Sequence, residues 1–461
     1  MPPFAGLQTN FLTWAIFAGV AGCWLFSAQL APGWRRVGWP SLLKSLYGLV
    51  WLGFGLDILL RFLMLAWNAV EWGNGTTLLI SQTATTVNRT LAYCGLFWAL
   101  ATVAYAVVVR RKGTGPLALT RTFTVEFAYA AAIPTAALAS TAFYLADSQL
   151  LPLALLTPVA LLANLYAVPA AIVWWDHLQR PGAWWRVGSI PLIALLPALV
   201  NGYFSPYREN LAPIFVIPLI SGLYAGRRPS LRKAIPTGLV CLLLLSSAVS
   251  SYRRIRWENV RPEEVAREWR EGGIGGWLTA TSDEPMRRFH GFDSMLLTIC
   301  LVPEAKPYSE RNVLISPFFR GFVPRLADSD KAAADAGERF GTSIWAYEDP
   351  IAREHSGASI APSMPGDLFD AGGVLYVALG ALIWGGLLGL IDGWKAHLPV
   401  FCAAAATGLV ATHCAMSIER DFDHEVAGLI QIFLVLIVVA GVMVLGRRRE
   451  RGFSARQLSG V

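Results

Sequence analysis

Charged side chains are scarce in this chain. They supply 15% of its 461 residues, against about 25% in a soluble domain, too few to coat a soluble multidomain surface. Cysteine provides no framework either. The six cysteines are scattered and none forms a CxxC pair, so no disulfide scaffold is encoded. Missing too is any soluble module with a basic patch interleaved with exposed aromatics, which excludes nucleic acid as the partner of the +7 formal charge. The first apolar run has no basic region ahead of it and no small-residue cleavage site after it, so it reads as a retained helix and not a signal peptide.

What the chain has instead is length in apolar residues, 55% of the total. Apolar runs of about 18 residues or more predict an all-α polytopic membrane protein. Eleven spans are expected, at roughly 11–30, 45–67, 90–109, 124–145, 151–174, 187–204, 210–225, 234–250, 372–391, 398–417 and 426–446. Lysine and arginine in the short connections set the orientation. Alternate connections and the tail "GRRRERGFSARQ" hold 19 basic residues, while the short loops on the other side hold three, Arg89, Arg208 and Arg420. The N-terminus is therefore expected outside and the C-terminus inside. The domain plan is a membrane portion over 1–250, a large outer loop over 251–371, a second membrane portion over 372–446 and a basic cytoplasmic tail over 447–461.

The outer loop carries 15 Lys and Arg against 19 Asp and Glu, more than half of the protein's 31 acids. A connection of that size is too long to be a simple link and reads as functional. "RPEEVAREWREGG" predicts a helix over 261–273 with acids early, arginines late and a glycine stop. "TSDEPMRRFHGFDSMLLTICLVP" opens with a capping-box pattern, Thr281 and Glu284, and predicts a helix on which Arg287 and His290 share a face. A further short helix is expected over 329–341.

Arginine is unexpected on this side of a membrane, yet Arg208, Arg287, Arg288, Arg320, Arg325, Lys331 and Arg339 all fall there. A guanidinium matches phosphate oxygens two at a time, and the match strengthens where water is excluded. Convergence of several such groups at the membrane surface would suit a lipid pyrophosphate. Arg325 stands out because Ile315–Leu326 contains no acid to neutralise it. At depth, Asp57 and Arg61 in "GLDILLR" are four apart and are expected to pair on one helix face. His413 precedes a run holding Glu419, Asp421, Asp423, His424 and Glu425, whose spacing matches no metal-ligand pattern. "NGT" at 74–76 and "NRT" at 88–90 fit the glycosylation acceptor pattern, which is short enough to arise by chance.

Taken in order, "RRFHGFDSMLLTICLVPEAKPY", "SPFFRGFVPRLADSDK", "AGERFG" and "PGDLFDAGGVLYVALGALIWGGLLGL" resemble the bacterial oligosaccharide repeat-unit polymerases, the Wzy-type O-antigen and exopolysaccharide polymerases. The matching positions are Arg288-Phe289, Pro324-Arg325, Asp330-Lys331, Asp367 and the span from Gly372, across about 285–392. The resemblance implies an inner-membrane glycosyltransferase working on the periplasmic face, without cofactor or metal. It would transfer a growing glycan from undecaprenyl pyrophosphate to an incoming lipid-linked repeat unit, with a chain-length-regulating co-polymerase as a possible partner. On that reading Arg325 and Arg320 hold the donor pyrophosphate, Lys331 and Arg208 assist, Arg287 belongs to the same pyrophosphate-binding set, and Arg288 contacts the second lipid phosphate or the sugar. His290 leads as general base, ahead of Asp367 and His355.

Three other readings compete. An O-antigen ligase would share the architecture but use lipid A as acceptor. A transferase using a polyprenyl monophosphate donor would want acids in the first full outer loop, where this chain has only Glu71. A polysaccharide or lipid-linked sugar transporter would want polar groups along a path through the bilayer.

Overall fold

The computed structural model describes residues 7–32, 38–67, 83–109, 121–148, 163–180, 188–204, 211–227, 254–255, 260–273 without 269, 291–322 without 310, 362–415 and 420–434, with a few isolated positions. Among the described residues every regular element is helical. Five helices are long and apolar enough to cross a membrane, Phe11–Leu30, Leu46–Ala66, Ala84–Val109, Val125–Leu145 and Met364–Lys395, and they mark the chain as a membrane protein. Shorter helices fall within several of the other expected ranges. The one at 187–204 divides into Ser189–Ile193 and Leu196–Phe204. The first part of 151–174, nearly all of 234–250 and the end of 426–446 lie outside the described residues.

Helix α1 (Phe11–Ser27) starts where Asn10 and Thr13 cap one another: the Asn10 carbonyl oxygen accepts from Thr13 N–H at 2.9 Å, and Thr13 Oγ1 accepts from Asn10 N–H at 3.0 Å. After a short α2 (Pro40–Lys44), α3 runs Leu46–Ala66 and changes to a π turn over Gly55–Leu60. Its N-terminus is capped from far away in the chain. Asp392 accepts from Leu46 N–H at 3.0 Å and Tyr47 N–H at 3.3 Å, and Lys395 Nζ lies 2.8 Å from the same carboxylate. Ser45 Oγ supplies the local cap, accepting from Gly48 N–H at 3.0 Å, and the buried Asp392 carboxylate takes the two orphan amides that Ser45 leaves.

The spine of the bundle is α4 (Ala84–Val109) against α12 (Met364–Lys395), which run parallel with Tyr93 beside Phe369 at one end and Tyr105 beside Asp392 at the other. Apolar side chains gain little from leaving lipid for one another, so helices associate by close backbone packing. Gly385 and Gly389, one turn apart, provide it: a Cβ on Gly385 would overlap the Ala101 carbonyl, and one on Gly389 would touch the Tyr105 carbonyl.

The second half of the chain follows the same rule with alanine. After α5 (Arg121–Asp147), α6 (Ala167–Gln179), α7 (Ser189–Ile193), α8 (Leu196–Phe204) and α9 (Pro213–Tyr224), a small-residue seam forms where Ala170 and Ala171 of α6 meet α13 (Val400–Ala415) and its buried Ala404–Ala406. Asn88, on α4, is buried; an acceptor for glycosylation needs an exposed loop, so "NRT" at 88–90 is a chance match.

Besides the helical residues at 262–268 and 270–273 and the start of α12, the described part of the long 251–371 connection holds α10 (Gly291–Leu301) and α11 (Ser316–Phe322). Ten of the eleven residues of α10 are buried, and its apolar side chains share one core with α3, α4 and α12. It is therefore an internal part of the bundle and not a cap lying over it. The expected helix near 261–273 is helical over 262–268 and 270–273, with Gly273 at φ +54°. The expected helix over 329–341 lies outside the described residues.

Candidate functional site

Charge that an apolar bundle buries must find partners, and the described residues show where this happens. At the end of the bundle opposite Asp392, three segments remote in sequence meet: 306–316, the start of α12, and 418–425 after α13. Asp367 is fully buried in the first turn of α12, where free N–H groups favour an anion. Its Oδ1 accepts from Arg311 Nη2, and its Oδ2 accepts from Phe422 N–H at 3.0 Å. Arg311 also reaches Asp370 Oδ2 at 3.3 Å and donates from Nε to Ser309 Oγ at 3.2 Å. Lys306 Nζ lies 3.9 Å from Asp370 Oδ1.

The backbone leading in is strained. Ser363, fully buried, has φ +54° and ψ 152°, a region that ordinarily belongs to glycine and costs about 1–3 kcal/mol. Its hydroxyl accepts from Gly366 N–H at 3.3 Å and its carbonyl from Asp367 N–H at 2.9 Å. Those bonds hold the first turn in the pose that aims Asp367 at Arg311.

The third segment brings more acids. Asp421 caps the helical run at 422–434 by accepting from His424 N–H at 2.6 Å. Asp423 Oδ1 accepts from Ser316 Oγ at 3.3 Å. Glu425 is held by Arg420 at 3.0 Å and by His413 Nε2 at 3.0 Å. Five carboxyl groups, Asp367, Asp370, Asp421, Asp423 and Glu425, thus gather around three permanent cations, Lys306, Arg311 and Arg420. Burial pushes Asp421 far above the ordinary carboxylate range, to about 7, and the negative charge of Asp367, Asp423 and Glu425 adds to the effect against its hydrogen bond from His424. Arg311 is buried too, which works against its charge, but Asp367 and Asp370 outweigh that and raise its pKa. Among the described residues no group of three or more His, Cys, Asp or Glu side chains converges as metal ligands do.

Of the residues expected to form a site, Asp367 is in this centre. Arg320 lies on α11, with its side chain outside the described residues, and His290, His355, Arg208, Arg287, Arg288, Arg325 and Lys331 also lie outside them. Gly291, next to His290, packs on Asp57, and a Cβ there would stand 3.2 Å from Asp57 Cβ. Arg61, expected to pair with Asp57, forms an ion pair with Asp293 on α10. Arg311 was not singled out from sequence. The available signal was Asp367 and Asp370, three apart at the head of an apolar helix whose next basic residue is Lys395, an arrangement that requires a cation from elsewhere. No family model, curated protein or solved structure matches the chain, so the site is read from its own chemistry.

Proposed function

We propose that this membrane protein is a glycosyltransferase that polymerises undecaprenyl-pyrophosphate-linked oligosaccharide repeat units on the periplasmic face of the inner membrane. The observation that carries the reading is the meeting of Arg311, Asp367 and Asp421 at one end of the bundle. Transfer of a glycan to a sugar hydroxyl needs a base whose pKa lies near the working pH, and Asp421 has that property at about 7. Asp367 and Arg311 stand beside it as a largely buried ion pair. In this reading Asp421 takes the acceptor proton, a role for which His290, Asp367 and His355 were the first candidates. The leaving pyrophosphate is held by the outer arginines, Arg208, Arg287, Arg288, Arg320 and Arg325, with Lys331. The parallel run of α4 and α12 supports the odd-numbered places both have in the expected topology.

The test is reconstitution of the purified chain in vesicles with lipid-linked repeat units. The expected product is a ladder of glycans formed without lipid A, reduced by Arg325→Ala and abolished by Asp421→Asn. A chain that forms no ladder, yet joins glycan to added lipid A, would be a ligase. A second reading, transport of a lipid-linked sugar, draws on the buried Arg61–Asp293 and Lys395–Asp392 pairs, since ionisable groups inside a bundle line transport paths. Movement of the lipid-linked unit across sealed vesicles without elongation would establish it.

A further inference from the structure

Beside the acidic centre, α12 breaks. Gly372 and Gly373 leave helical geometry, and Gly373 has φ +70°. Glycine is needed there twice over, for the backbone angle and because a Cβ would come within 2.9 Å of the Tyr308 hydroxyl. Next to the break lies a cavity of about 160 Å³ whose lining includes Arg89, Tyr93, Glu304, Tyr308, Phe369 and Val374. Three of these are aromatic. Tyr93 stacks on Phe369 with ring centroids 5.4 Å apart, and Tyr308 meets Phe369 edge-on at 6.2 Å.

The charges in the cavity discriminate among ligands. Arg89 and Glu304 both line it, both are exposed, and among the described residues neither has an ion-pair partner. Five guanidinium N–H donors and two carboxylate oxygens are therefore available to whatever enters. An anion would gain Arg89 but meet Glu304, and a cation would gain Glu304 but meet Arg89, so a net charge of either sign wins little. A purely apolar ligand would desolvate both without compensation. A neutral ring with hydroxyls on its rim and C–H groups on its face satisfies all three aromatics and both charges. The size agrees: 160 Å³ is below the roughly 300–1,000 Å³ of sites for drug-sized molecules, and fits one ring.

We propose that this cavity is a subsite for one neutral pyranose ring of a glycan, its C–H face against the aromatic wall and its hydroxyls on Arg89 and Glu304. The proposal deepens the glycan-transfer reading above and rests on it for the chain to which the ring belongs. Placement supports it. Tyr308 is three residues from Arg311 and Phe369 two from Asp367, and the Ser309 N–H and hydroxyl both donate to the Asp370 carbonyl, at 2.8 and 3.2 Å. A ring in the cavity is thereby held in fixed register with the acidic centre.

The experiment is saturation-transfer NMR on the full chain in lipid nanodiscs. The probes are methyl glucoside, methyl galactoside, methyl mannoside and N-acetylglucosamine, with inorganic pyrophosphate and cyclohexanemethanol as comparisons. At least one sugar should receive saturation at its ring C–H protons. Tyr308→Ala should weaken it by about tenfold, the upper range for one aromatic contact, and Arg89→Ala should abolish it. Glu304→Gln, a change on an exposed side chain that leaves folding intact, should weaken it less than Glu304→Ala. Absence of transfer to every sugar, equal transfer in all variants, or Arg89-dependent binding of pyrophosphate instead would each overturn the subsite. Sugar binding without ladder formation by the reconstituted chain removes the transfer reading and leaves the subsite; ladders without sugar binding remove the subsite alone.

Discussion

Arg61 and Asp293, 232 residues apart, form an ion pair with both side chains fully buried: Nη2 lies 2.6 Å from Oδ2, and Nε lies 2.9 Å from Oδ1. The pair fastens α10, from the long connection, to the π-turned middle of α3. Phe62 and Phe292, their chain neighbours, meet edge-on at 5.4 Å and close the apolar side of the contact.

Removing one member of such a pair leaves the other charged and buried, at a cost of about 3–5 kcal/mol. Arg61→Met and Asp293→Leu should each lower unfolding stability in detergent by that order. The double variant should recover most of the loss, since a well-packed apolar pair replaces a desolvated ionic one at little net cost. Two single losses that simply add would show that the side chains act independently.

Arg311→Ala should also destabilise by about 3–5 kcal/mol, because Asp367 would keep a buried charge with Phe422 N–H as its described partner. Arg311→Lys keeps the charge but cannot span Asp367, Asp370 and Ser309 from one planar group. It should show an intermediate melting temperature. An Arg311→Ala protein that melts with the wild type would contradict the central position given to this residue.

Asp421 sets a pH dependence whose sign follows from its raised pKa. Folded, it holds its proton up to about pH 7; unfolded, a carboxyl releases it near pH 4. The stability it contributes is whole below about pH 4 and declines by about 1.4 kcal/mol per pH unit until it is lost on rising through about pH 7. Asp421→Asn should remove that slope, read as the difference between the two proteins across pH 4–8. If Asp421 is the base, the rate of glycan transfer should rise through pH 7 in the wild type. A transfer rate unchanged from pH 5.5 to 8.5 would count against it.

Gly385 and Gly386 are neighbours with opposite surroundings. A Cβ on Gly385 would overlap the Ala101 carbonyl, whereas one on Gly386 meets nothing within 4 Å. Gly385→Ala should separate α12 from α4 and yield aggregated protein on size exclusion. Gly386→Ala should elute normally and be at least as stable, since alanine favours a helix by up to about 1 kcal/mol over glycine. Normal elution of Gly385→Ala would show that α4 and α12 do not pack this closely.

The helical membrane class was legible because each span is a local property: consecutive side chains share one solvent, and their transfer energies add along the chain. The expected spans at 11–30, 45–67 and 90–109 have counterparts in α1, α3 and α4 for this reason. Asp367 was legible as a candidate from its place ahead of a glycine-rich span, and the acids at 421–425 were visible as a cluster. Nothing local showed that these two would join, because Asp367 and Asp421 are 54 residues apart and only helix packing brings them together.

Composition and apolar run length were enough, without any structure, to establish that this chain is helical and belongs in a membrane. Which charges answer one another was decided by the tertiary structure: Arg61 with Asp293, Arg311 with Asp367, and Asp392 at the start of α3. The physical reason is that burial of an apolar residue depends mainly on its neighbours in sequence, while a buried charge is stable only with a partner within a few ångströms. That proximity is created by helix packing, here by glycines and alanines that let backbones approach.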